Sequence, residues 1–298
     1  MVDKDKIQKF IFENLGIRGE IVRLTDSWQE VLKRHDYPTT IRNVLGQMIA
    51  ASTLLSSTLK FDGSLIMQIQ GKGALRLAMA ECSSDKAIRG IAQFEDPDPN
   101  ESLLELTGNG ILAITLDPKK GERYQGIVDL SSGDFVKSLE DYMDRSQQLT
   151  TWLWLYADKE QCAGMLLQKL PEDINQIKTF PPVTDQDSWS RVVTLAKTIT
   201  RKEMQSLSFQ NIIHRLFNEE DVRIFNPEPV SFNCSCTRDR VRNMLRMLGY
   251  EEVYAALEQE EVLGISCEFC NKKYKFDRVD VKELFASDQQ FKHSSTRH

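Results

Sequence analysis

Four of the six cysteines fall in one short C-terminal stretch, and that arrangement constrains the chain more than any other feature. Cys234 and Cys236 form a C-x-C pair in Asn233-Cys234-Ser235-Cys236-Thr237. Cys267 and Cys270 form a C-x-x-C pair in Ser266-Cys267-Glu268-Phe269-Cys270-Asn271, 30 residues further on. Two close pairs separated by a short module fit a tetrahedral Zn²⁺ site, each loop supplying two soft thiolates. Two ordinary disulfides, or chance clustering, are the competing readings. A C-x-x-C alone also occurs in thioredoxin-type redox motifs, but those need a helix starting at the first cysteine. Here Asn271–Asp277 alternates as a strand does, which fits the knuckle of a zinc hairpin. Cys82 and Cys162 stand alone in apolar sequence and read as small buried hydrophobes.

The rest of the chain decides between these readings. It has 298 residues, 41% hydrophobic and 28% charged, with a net charge of −6. Wholesale disorder is excluded, and the acidic balance disfavours a nucleic-acid partner. No apolar run of about 18 residues spans a membrane, and Met1–Lys6 lacks the features of a signal peptide. The expected compartment is the cytosol, where reduced thiols and metal ligands prevail over structural disulfides.

Periodicity predicts an α+β fold. Residues 3–14 read as a short amphipathic helix through Ile7, Phe10 and Ile11, and Thr39–Lys60 as a long one behind Pro38. Strands are expected at Gly19–Leu24, Ser64–Gln70, Ala74–Cys82, Ala87–Phe94, Ile111–Leu116, Tyr124–Leu130, Thr151–Ala157 and Ala163–Leu170, with a helix at Phe135–Asp144. Gly71-Lys72-Gly73 and Gly108-Asn109-Gly110 complete no nucleotide-binding motif and read as turns. Four histidines, of which His35 and His214 read as structural, leave little material for acid–base catalysis, so no enzyme is predicted.

The expected organisation is an N-terminal α+β domain over 1–178, a helical linker over 179–229, a cysteine module over 230–286, and a disordered tail over 287–298. Thr179–Thr184, with Pro181-Pro182, marks the first boundary. The linker helices at Asp187–Thr200 and Ser208–Asn218 carry apolar stripes too large to leave in water, which must rest on the N-terminal domain. In the module, Thr237 can cap a helix that Gly249 ends, and a second helix carries Val253 and Leu257. At about 50 residues its own core is marginal, so the metal is expected to be its main support. Arg238, Arg240, Arg242, Lys272, Lys273 and Lys275 flank the thiols and can stabilise thiolate charge. Oxidation could close each pair locally and expel the metal; a permanently structural ribbon is the equal alternative.

These residues resemble a family. The C-x-C and C-x-x-C pairs follow His214-Arg215-Leu216-Phe217 and Glu220–Phe225. Upstream stand Arg18-Gly19-Glu20-Ile21-Val22-Arg23-Leu24, His35-Asp36-Tyr37-Pro38 and Thr58–Gly63. Together they resemble the redox-regulated heat-shock chaperones of the heat shock protein 33 family across nearly the whole chain. Tyr142–Gln148 departs mildly from that family's pattern. The resemblance implies an ATP-independent holdase that is inactive when reduced and zinc-bound through Cys234, Cys236, Cys267 and Cys270. Oxidation would form disulfides Cys234–Cys236 and Cys267–Cys270, release zinc and loosen the latch at Asp185–Phe225. It further implies unfolding client proteins as partners, a homodimer in the oxidised state, and hand-off to ATP-driven chaperones.

Overall fold

In the computed structural model, residues 3–171 and 187–294 are described, with side chains up to 286. The expected Thr179–Thr184 boundary lies outside the described residues. The chain divides into two compact units, 1–233 and 234–298.

The first unit begins with strands β1 (Lys6–Phe12) and β2 (Ile17–Leu24), helices α1 (Asp26–Leu32) and α2 (Thr39–Thr58), and strands β3 (Gly63–Gln70), β4 (Leu75–Ser83) and β5 (Ala87–Phe94). It continues through α3 (Leu103–Thr107), β6 (Ile111–Pro118), β7 (Tyr124–Asp129), α4 (Phe135–Arg145), β8 (Thr151–Ala157) and β9 (Cys162–Lys169). Helices α5 (Ser188–Ala196), α6 (Arg201–Ser206) and α7 (Phe209–Phe217) follow, then the short strands β10 (Val222–Ile224), β11 (Glu228–Pro229) and β12 (Ser231–Phe232).

Two sheets form, in the orders β10-β1-β2-β9-β8, with β11 also on β1, and β12-β5-β4-β3-β6-β7. The first segment is therefore a strand, not the expected helix. Ile7, Phe10 and Ile11 satisfy a helical spacing, but Phe10 and Phe12 also satisfy a spacing of two, and β2 and β10 offer ladders on both edges. Long-range pairing overrides the local period. Asn14 and Gly16, both at positive φ, turn the chain between β1 and β2. Helix α2 touches strands of both sheets, and Leu45, Met48, Ile49 and Leu54 are wholly buried against them. Its Ala50 and Ala51 admit that close approach, as their small side chains suggest. The turn after β3 needs glycine: a Cβ on Gly71 would lie 2.3 Å from the Leu75 carbonyl and 2.5 Å from that of Thr107. No phosphate cradle is formed; the amides of Lys72 and Gly73 donate to Thr107 O.

Strand β9 is buried along nearly its whole length, because both faces of the first sheet are covered. Cys162 and Leu166 face the core around α2. Ala163, Met165 and Leu167 face a second cluster with Val192, Ala196, Phe209, Ile213 and Phe217. The apolar stripes of α5 and α7 thus rest on the outer face of the first sheet. Phe217 packs edge-on to Phe12, with centroids 4.9 Å apart.

The second unit holds α8 (Arg238–Leu248), α9 (Tyr250–Gln259), a hairpin of β13 (Leu263–Ser266) and β14 (Lys273–Phe276), and α10 (Arg278–Ser294). It starts at Cys234 rather than 230 because β12 pairs with β5 and Val230 sits in the first unit's core. The tail expected to be unstructured from 287 is helical up to Ser294. The sequence separates the hydrophobic residues that begin α10 from its polar end, and the end reads as tail for want of an apolar stripe.

Candidate metal centre

Among the described residues, the second unit's core has eight buried ones, Leu245, Val253, Leu257, Tyr274, Phe276, Val281, Leu284 and Phe285. A core that small is marginal against the ordering of the chain around it. Beside it lie Cys234, Cys236, Cys267 and Cys270, half-buried, with all four sulfurs within 4.8 Å of one another.

Local chemistry builds each loop. Cys234 and Cys236 precede α8, whose N-terminus is capped by the Thr237 hydroxyl accepting from the Arg240 amide. Cys267 and Cys270 occupy the turn of the β13–β14 hairpin, where Ser266 pairs with Lys273. The Cys267 amide donates to Lys272 O (2.9 Å) and the Asn271 amide to Cys267 O (2.7 Å). Asn271 takes a left-handed φ of 55°, which asparagine tolerates better than most residues. This is a hairpin knuckle; no helix starts at Cys267, so the thioredoxin-type reading has no support.

The donor set fits a tetrahedral cation. Cys234 Sγ lies 3.6 Å from Cys267 Sγ, and Cys236 Sγ 3.3 Å from Cys270 Sγ. At a Zn–S distance of about 2.3 Å, tetrahedral geometry puts sulfurs about 3.8 Å apart. The electrostatics agree. Burial and the surrounding thiols push Cys270 up to about 12, and burial also raises Cys234. Burial opposes ionisation at Cys236 too, but the Tyr274 hydroxyl and the neighbouring thiols bring it down to about 7. One thiolate is easily held and four are not, unless a divalent cation compensates them.

Arg238, Arg240 and Lys272, among the flanking cations, make contacts of their own. Arg238 pairs with Asp280 (2.8 Å), donates to Lys275 O (2.8 Å) and lies over the Phe276 ring, joining α8 to β14 and α10. Arg240 donates to Ser235 Oγ, between the paired cysteines. Lys272 stands over the Tyr274 ring. Tyr274 is the site residue that spacing missed: its hydroxyl donates toward Cys236 Sγ (3.1 Å) and Cys236 O (3.0 Å). Its alternation with Phe276 was the available signal. Cys82 and Cys162 are fully buried, and burial pushes both thiols up, Cys82 to about 11. They behave as core hydrophobes, as expected.

Comparison with known proteins agrees with this geometry. The family model described as Hsp33 protein matches residues 5–277. The 33 kDa chaperonin of Methylobacillus flagellatus is 44% identical over 296 residues, 99% of each chain. That of Nitrosococcus oceani is 43% identical over 298 residues, the whole of both. The crystal structure of the Thermotoga maritima 33 kDa chaperonin superposes with a TM-score of 0.81, covering 96% of this chain and 99% of that one, at 20% identity. At that identity the likeness is one of fold. Among the described residues, no helix is long and apolar enough to cross a membrane.

Proposed function

This chain belongs to the Hsp33 family, a family of chaperones and not an enzyme class, and from that premise we propose that it is a redox-regulated, ATP-independent holdase of the cytosol. In the reduced state Cys234, Cys236, Cys267 and Cys270 hold one Zn²⁺, which supplies the positive charge that lets four thiolates coexist and closes the second unit. Two equivalents of peroxide take four electrons from the four thiolates. Each equivalent forms one S–S bond and is reduced to two hydroxide ions, and the metal leaves without its ligands. The disulfides form as Cys234–Cys236 and Cys267–Cys270. The Cys234–Cys267 and Cys236–Cys270 sulfur contacts run between the pairs, but the members of a pair stay tethered by one or two residues once the loops part.

The opened module is joined through 222–233 to α5–α7, and their release uncovers Phe10, Phe12, Ile17, Ile21, Met165 and Leu167. Unfolding client proteins bind that apolar face and the freed linker, the oxidised form is a homodimer, and reduction returns clients to ATP-driven chaperones. The observation that carries this reading is a four-thiol cluster supporting a core of eight residues. The test is to treat the protein with peroxide at heat-shock temperature. Zinc release is followed with a metallochromic dye and citrate synthase aggregation by light scattering. Suppression should rise as zinc leaves; undiminished aggregation after complete zinc loss would refute the proposal.

A further inference from the structure

Arg23 of β2 is completely buried, on the face of the first sheet that α5–α7 cover. Its Nε and Nη2 both donate to Met204 O, the former at 3.1 Å, and Nη2 also donates to Leu207 O at 2.7 Å. Nη1 donates to Asp3 O at 3.1 Å, and the guanidinium lies over the Phe209 ring, 5.2 Å from its centroid. Met204 and Leu207 close α6, so these are helix-end carbonyls with no partner in their own helix. On the other side of the junction the Asp3 carboxylate accepts from the amide of Phe209, the first residue of α7, at 2.9 Å. A cation thus meets the carbonyl end of one helix and an anion the amide end of the next, which is the favourable polarity at both.

We propose that Arg23, with Asp3, is a positioning pair that pins the α6–α7 junction to the first sheet and sets how readily the covering helices leave it. This rests on the reading that their release activates the protein. The physical reason lies in the difference between bound and released states. While the helices are seated, removing the guanidinium strands the buried Met204 carbonyl and the part-buried Leu207 carbonyl, and leaves Asp3 with Lys6 (3.8 Å) as the cation paired with its carboxylate. Once they have left, water solvates all of these groups and the loss costs little. Apolar contacts between α7 and the sheet hold by area and tolerate sliding; a forked donor on two fixed carbonyls holds one register. An aliphatic chain at position 23 would therefore weaken the seated state selectively.

The test uses the full chain, reduced and zinc-loaded, as wild type, Arg23→Met and Arg23→Lys, with hydrogen exchange read peptide by peptide. In Arg23→Met, exchange over 188–217 should quicken by about tenfold or more. Exchange over β3–β4, the zinc content and the four reactive thiols should stay unchanged. Aggregation suppression should then appear before any oxidant is added. Arg23→Lys, which keeps the charge but not the fork, should fall between. Unaltered exchange over 188–217 in Arg23→Met would overturn the inference. So would equal acceleration across the whole first unit in both variants, which would make Arg23 a general core residue. If 188–217 loosens selectively but even oxidised wild type fails to suppress aggregation, the pin stands and the holdase reading falls.

Discussion

Glu20 sits on β2 beside Arg18, 2% exposed, with Oε2 lacking any hydrogen-bond partner. Burial pushes its carboxyl up from 4.5 to about 7, against the pull of Lys9, Arg18, Ser57 and Lys86. The folded protein therefore holds this proton more tightly than the unfolded chain does. The resulting stability is fully present below about pH 4.5 and is lost as pH rises through 7, up to about 3 kcal/mol at about 1.4 kcal/mol per pH unit. Glu20→Gln should raise the unfolding midpoint of the first unit at pH 8 and leave it nearly unchanged at pH 5; equal gains at both would contradict this. At the four-thiol cluster, Cys234→Ser or Cys267→Ser should lower zinc affinity by more than the about 10–100-fold typical of losing a group that only orients a ligand. The second unit should then become protease-sensitive, and unchanged zinc content would refute the ligand assignment. The cluster of four thiols was readable because cysteine pairs at these spacings commonly converge on one site. Arg23, Glu20 and Tyr274 were not. A buried arginine looks like an exposed one until the chain brings carbonyls from position 204 and 207 beside it.

Among the elements, long helices and alternating strands were legible and short or doubly paired ones were not. The helix at 39–58 and the strands at 63–70 and 151–157 carry strong periods, and they form close to where the sequence places them. β1 was misread because its apolar residues fit two periods, and the choice is made by the ladders it shares with β2 on one edge and β10 on the other. β10 and β12 are two or three residues long and exist only through pairing with Phe10–Phe12 and Ala87–Ile88. Nothing local encodes them. The stripes of α5 and α7 were readable as faces that must rest on the N-terminal domain, and which sheet face takes them was not. Phe217→Ala should cost about 3–5 kcal/mol, since its ring fills the space between Phe10 and Phe12. In the reduced protein, limited proteolysis should then cut within 188–217 sooner, while zinc content stays constant. Cleavage unchanged from wild type would show that α7 is held by other contacts.

For the whole molecule, composition and strand succession gave the α+β class, and the four clustered cysteines all fall in the second compact unit, 234–298. The existence of two sheets with α2 between their strands was beyond reach, because register is a property of pairs. The two units differ in what holds them. Among the described residues, the first has an extensive apolar core in two clusters, and the second has eight buried hydrophobic side chains beside four clustered thiols. Metal binding of about 10–16 kcal/mol in small finger peptides matches the about 5–15 kcal/mol by which whole domains are stable. Chelation should accordingly abolish hydrogen-exchange protection over 238–286 while β3–β6 keep theirs; loss in step across both units would contradict separate supports. The most direct test is to count metal and free thiols per chain, before and after peroxide at heat-shock temperature. The account predicts one zinc and four rapidly reactive thiols in the reduced protein, and neither after oxidation. A reduced chain that carries no metal, yet stays compact from 234 to 286, would contradict it.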